Sequence, residues 1–150
     1  MDISQLTPEL SIGGQPQPDD ITALRDQGFR TVVNLRMPDE PGVLPDEERL
    51  VQNAGLNYAE VPISPDIVDD GTIERLTQIL TTVDTAPVYV HCKAGGRAGT
   101  FSMLHLAIQH GWSIEQAYEE GEKVGIVIPE DSPYRAIFEG FLRRHSPGER

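Results

Sequence analysis

Cys92 is the one cysteine among 150 residues, and it closes the apolar stretch Val88-Tyr89-Val90-His91 just before the run Lys93-Ala94-Gly95-Gly96-Arg97-Ala98. A strand that turns into a helix leaves the first helical N–H groups unpaired and convergent, and the helix dipole adds positive potential there. A thiol in such surroundings has a pKa of about 3.5–7.5 instead of about 8.5, so Cys92 is expected to be a thiolate nucleophile. Arg97 brings a planar fork of donors matched to phosphate or sulfate oxygens. Lys93 and Arg97 within one loop make a local positive focus in a chain of net charge −12. Read without function, the same residues are a small buried cysteine in a glycine-rich turn and a solvated lysine.

The segment His91-Cys92-Lys93-Ala94-Gly95-Gly96-Arg97 resembles the signature loop of cysteine-dependent protein tyrosine and dual-specificity phosphatases. Gly28-Phe29-Arg30-Thr31-Val32-Val33-Asn34-Leu35-Arg36 resembles the second strand of that fold, and His110-Gly111-Trp112-Ser113-Ile114-Glu115-Gln116-Ala117-Tyr118 its post-signature helix. With Ile12-Gly13-Gly14-Gln15-Pro16, these stretches are similar to a bacterial phosphatase-like subfamily that carries a shortened loop.

The resemblance implies a single α/β phosphatase-like domain, a central and mostly parallel sheet with helices on both faces. It implies Cys92 as nucleophile and a phosphate-binding loop of Lys93, Ala94, Gly95, Gly96, Arg97 and Ala98. His91 would support the thiolate and the loop, with Arg36 and Thr100 in supporting positions. The general acid of the family is an aspartate after the preceding strand, which makes Asp66 the candidate and Asp69 and Asp70 its alternatives. The bland readings are turn chemistry for Asp66, helix capping for Asp69 and Asp70, and a carboxylate partner for Arg36. The family pattern has five residues between cysteine and arginine and then a hydroxyl residue; this chain has four, then Ala98. A four-residue gap is the length of rhodanese-type sulfurtransferase loops. Three functions follow: a phosphatase acting on a phosphomonoester of a protein or small molecule, a sulfurtransferase or persulfide carrier, and a silent phosphate-binding module.

A chain of 150 residues suits one domain. With two lysines and net charge −12, attraction to nucleic acid or anionic lipid is disfavoured. No apolar run approaches the roughly 18 residues that span a bilayer, so a soluble, unexported protein is expected. One cysteine excludes an internal disulfide, and a nucleophilic thiol suits the reducing cytoplasm. One cysteine and scattered histidines give no metal-ligand spacing, and the expected chemistry needs neither metal nor cofactor.

The elements follow from periodicity and punctuation. Leu10–Ile12 reads as the first strand, Gly13-Gly14 as a plain turn, and Pro18-Asp19-Asp20 as a helix start that ends by Gly28. Phe29–Leu35 and Asn57–Ile63 are strands, separated by a loop over 37–45 and a helix over 46–54. Asp69-Asp70-Gly71-Thr72 caps a helix whose face is Ile73, Leu76, Ile79 and Val83. Val88–Val90 lacks polar alternation, the mark of a central parallel strand. Ala98–Gln109 is a buried helix, Trp112 a core anchor, and Ser113 with Gln116 a capping box. Ser132-Pro133 opens a last helix, and 146–150 is a polar tail.

Overall fold

The structure, a computed structural model, describes residues 1–145, so the tail expected over 146–150 lies outside the described residues. Five strands form one sheet in the order β1-β2-β5-β3-β4, where β1 is Ile3–Thr7, β2 Leu10–Gly13, β3 Thr31–Asn34, β4 Asn57–Glu60 and β5 Val88–His91. Only β1 is antiparallel; β2, β5, β3 and β4 pair in parallel. Every residue of β5 and β3 is buried, whereas the outer strands β1 and β4 are largely exposed or half-buried. The lack of polar alternation over Val88–Val90 therefore did mark the strand at the centre of the sheet, between β2 and β3. The fold is α/β with a mostly parallel sheet.

The α-helices are α1 Pro18–Asp26, α2 Glu47–Asn53, α3 Asp70–Thr81, α4 Gly96–His110, α5 Ile114–Lys123 and α6 Pro133–His145. The chain divides into two compact units, 1–98 and 99–150, with the boundary inside α4. In the first unit Ile21 and Leu24 of α1, Val51 of α2, Leu56, Val32 and Tyr89 form an apolar cluster. In the second, Phe101 meets Tyr134 edge-on at 5.3 Å, Tyr118 stacks on Phe138 at 5.4 Å, and Arg135 lies 4.4 Å over the Tyr118 ring. Tyr118 also donates to Glu139 at 2.6 Å, and Arg135 pairs with the same carboxylate at 3.3 Å. Among the described residues, no helix is long and apolar enough to cross a membrane.

Several local expectations change. A strand, β1, precedes the one expected to be first. Its sequence Ile3-Ser4-Gln5-Leu6-Thr7 is short and half polar because an edge strand needs only part of its surface covered. Helix α3 stops at Thr81, so Val83 falls in a separate single turn, Val83–Thr85. Trp112 is half-buried and stacks on His110 at 5.1 Å; it is not a core anchor. Gly13 and Gly14 do more than turn the chain. A Cβ on Gly13 would collide with the Tyr89 hydroxyl, and one on Gly14 would lie 2.9 Å from the Lys93 carbonyl oxygen. These glycines let the end of β2 press against β5 and the loop that follows it.

Candidate active site

Parallel pairing brings the C-terminal ends of β2, β5, β3 and β4 to one rim of the sheet, where open α/β sheets place ligands. Four loops leave from there: 14–17 after β2, 92–95 after β5, 35–46 after β3 and 61–69 after β4. Of the expected site residues, Cys92, Lys93, Ala94 and Gly95, Arg36, and Asp66 lie on the last three, while His91 ends β5 and Gly96, Arg97, Ala98 and Thr100 follow on α4.

The loop after β5 is built around its thiol. Cys92 is 2% exposed. Its Sγ accepts N–H bonds from Gly95 at 3.1 Å and, more weakly, from Ala98 at 3.5 Å. Gly95 has φ of 104°, the left-handed region that favours glycine, and this turn swings its amide back onto the sulfur. Gly96 then begins α4, so the Ala98 amide belongs to the first helical turn, whose N–H groups lack helical partners. Both donors to the thiol are thus backbone groups, and the donation from Ala98 stands at the position where the family pattern has a hydroxyl. Lys93 and Ala94 are exposed, and Thr100 is buried on α4 beyond the loop.

Arg97 is held by a residue that sequence reasoning passed over. Its Nη1 and Nη2 donate to Glu40 Oε2 and Oε1 at 2.6 and 2.8 Å, a bidentate pair, and Nη1 also donates to the Ile63 carbonyl at 3.0 Å. Donation from Arg97, above all, holds the Glu40 carboxyl down at about 2, so it remains a carboxylate at neutral pH. Arg36, 3% exposed, also meets Glu40, through Nε at 3.2 Å. Its other donors reach Gln15 Oε1 at 2.9 Å and the carbonyls of Pro41 and Gly42 at 2.6 and 3.2 Å. Arg36 is therefore spent on the 37–42 loop and its carboxylate, the bland reading of that residue.

His91 is fully buried and partnered at both ring nitrogens: Nε2 lies 2.5 Å from Glu47 Oε2, and Nδ1 lies 3.2 Å from the Cys92 carbonyl. A carbonyl can only accept, so Nδ1 is the donor to the Cys92 carbonyl. Glu47, 2% exposed, is the second residue that the sequence did not reveal. It sits in the first turn of α2, where an acid has a sufficient explanation in the helix dipole.

Asp66 lies exposed on the turn 65–67, closed by N–H bonds from Ile67 and Val68 to the Ser64 carbonyl at 3.3 and 3.1 Å. That turn starts two residues beyond Ile63, whose carbonyl Arg97 grips. Asp69 is a cap, accepting from Thr72 N and Oγ1, both at 2.9 Å. Those bonds hold its carboxyl below the ordinary range. Asp70 opens α3.

The arrangement thus combines a sheltered thiol, served by backbone donors, with an arginine fixed by a carboxylate. The family model for the phosphatase-like domain of beta-lactamase hydrolase-like proteins matches residues 2–118. The beta-lactamase hydrolase-like protein of Agrobacterium fabrum is 32% identical over 108 residues, which are 69% of this chain and 25% of that protein. The chain therefore spans about a quarter of that relative's length. The dual specificity protein phosphatase TpbA of Pseudomonas aeruginosa is 24% identical over 133 residues, 87% of this chain and 58% of that protein. A putative phosphatase from Shewanella putrefaciens shares the fold with a TM-score of 0.80 at 22% identity, covering 96% of this chain and 93% of that one. With that match running from β1 into α5 and taking in the whole thiol loop, the chain belongs to the phosphatase-like domain family of beta-lactamase hydrolase-like proteins.

Proposed function

We propose that the chain is a cysteine-dependent phosphatase that hydrolyses phosphomonoesters through a Cys92 thiophosphate intermediate. The observation that carries this reading is the pair of backbone N–H groups, from Gly95 and Ala98, aimed at the buried Cys92 Sγ. Such donors orient the sulfur for attack and serve it again as leaving group. In the first step the sulfur lone pair forms an S–P bond as the ester P–O bond breaks, and the departing oxygen takes a proton from an acid. In the second, water attacks phosphorus, the S–P electrons return to sulfur, and the same group, now a base, takes the water proton. Inorganic phosphate leaves. Asp66 is assigned that acid–base role, on the turn just past the Ile63 carbonyl that binds Arg97. The Arg97 guanidinium, fixed by Glu40 through Nη1 and Nη2, supplies the positive charge that the phosphate oxygens need.

The likeness to TpbA, a dual specificity protein phosphatase by name, supports trying phosphotyrosine, phosphoserine and phosphothreonine peptides first. A reducing cytoplasm suits such a thiol. The test is turnover of an aryl phosphate without added metal, inhibited by vanadate. Cys92→Ser should abolish it, and Asp66→Asn should lower it roughly 10²–10⁴-fold. Full activity in the serine variant would end the thiolate reading.

The four-residue spacing from Cys92 to Arg97 favours one second reading, a sulfurtransferase that carries a persulfide on Cys92. Robust thiosulfate-to-cyanide transfer with no phosphate release would select it.

A further inference from the structure

We propose that Gln15 is a positioning residue for this reaction, the joint that holds the thiol side and the arginine side of the site in one register. The inference rests on the roles given to Cys92 and Arg97 above. Two hydrogen-bonded groups meet at the rim of the sheet. One runs from the Cys92 carbonyl through His91 to Glu47, and the other from Arg97 through Glu40 to Arg36. The Gln15 amide links them: its Nε2 donates to Glu47 Oε1 at 2.6 Å, and its Oε1 accepts from Arg36 Nη1 at 2.9 Å.

The chemistry at the joint admits few side chains. One end must donate to a carboxylate and the other must accept from a guanidinium, which an amide does and a carboxylate, an amine or a hydrocarbon does not. The second amide hydrogen is also used, on the Pro16 carbonyl at 3.1 Å, so the orientation of the group is fixed by its partners. The backbone is tied as well. Gln15 N donates to the Lys93 carbonyl in the thiol loop at 3.2 Å, an approach that Gly14 permits because a Cβ there would press on that oxygen. One residue thereby touches the thiol loop through its backbone, Glu47 through its donor and Arg36 through its acceptor. A site must be held within about half an ångström to work, and misplacement by 1 Å can lower rates on the order of 10²-fold.

The experiment measures alkylation of Cys92 by iodoacetamide and the concentration of inorganic tungstate that halves its rate. That reading of oxyanion affinity requires no turnover. Gln15→Met and Gln15→Glu should each raise the tungstate concentration at least 10-fold and lower aryl phosphate turnover by about 10–100-fold. The Gln15→Glu change sets two carboxylates against each other. Combined with Glu47→Gln, the donor and acceptor at the joint simply exchange sides, and tungstate affinity should return to within a few-fold of the parent. Loss of stability without loss of register would not be repaired in this way. The proposal is overturned if Gln15→Met binds tungstate within twofold of the parent. It is equally overturned if the exchanged pair melts like the parent yet binds tungstate as weakly as Gln15→Glu. A protein whose tungstate affinity depends on Gln15 in this way but that hydrolyses no phosphate ester would refute the phosphatase reading and leave the joint intact.

Discussion

His91 and His105 are both buried, at 0% and 3% exposure, yet the chain treats them in opposite ways. His91, at the end of β5, has a carboxylate on one ring nitrogen and a carbonyl on the other. His105, within α4, has an Nδ1 with no hydrogen-bond partner, and so does the Ser102 hydroxyl one turn earlier. Burial pushes His105 down to about 4, with His110 adding to the effect. A buried polar group that lacks a partner is tolerated by staying neutral. A fully partnered one fixes its neighbours in place, and that is where the Cys92 loop is attached. Polar burial at the rim specifies geometry, whereas in α4 it is an unreturned cost.

The largest expected effect comes from removing a partner on the partnered side. Glu47→Ala strands the buried His91 and should lose about 3–5 kcal/mol of stability, read from the urea midpoint, because breaking a buried pair leaves its other half uncompensated. A loss below 1 kcal/mol would erase the contrast with His105.

The second effect is a pH slope. His105 falls from 6.5 to about 4 on folding, so the unfolded chain binds its proton more readily. The associated stability is fully present above pH 6.5 and is lost as pH falls toward 4, a difference on the order of 3 kcal/mol. His105→Leu should flatten the stability profile across that window while leaving the Cys92 loop alone. An unchanged slope would show that the ring is not neutral in the folded protein.

Glu40 offers the mirror case on the partnered side, with a carboxyl held at about 2 against an ordinary 4.5. Its stability is present above pH 4.5 and lost as pH falls toward 2. Glu40→Gln should therefore remove a slope below pH 4.5, and it should lower stability at neutral pH by about 1.5–3 kcal/mol, the worth of hydrogen bonds to charged groups. It should also weaken vanadate inhibition, since the Arg97 fork loses its support. The two slopes fall in different windows and can be separated in one titration.

The smallest effect sharpens the comparison by its sign. Ser102→Ala removes a buried hydroxyl that has no partner, so stability should stay level or rise, by at most about 1 kcal/mol in thermal melts. A clear loss would reveal a partner for that hydroxyl.

What the sequence made legible was local. Cys92, Gly95 and Arg97 lie within six residues, and backbone rules alone predict a strand, a nest and a helix there. The capping predictions hold for the same reason: Asp69 and Ser113 each accept an N–H from three residues on, at 2.9 and 3.1 Å. Glu40 and Glu47 were illegible because each has an adequate local explanation, one as a loop acid and the other as a helix-start acid.

The sequence by itself therefore determined the α/β alternation, the buried central strands and the thiol loop, all set by periodicity and short-range hydrogen bonding. Only the tertiary structure decided what stands behind that loop. It brings Glu40 to Arg97 across 57 positions, Glu47 to His91 across 44, and Gln15 to both sides. The physical reason is that a parallel sheet collects the ends of strands far apart in sequence at one rim. A carboxylate's partner there depends on strand order, and no short stretch of sequence encodes that.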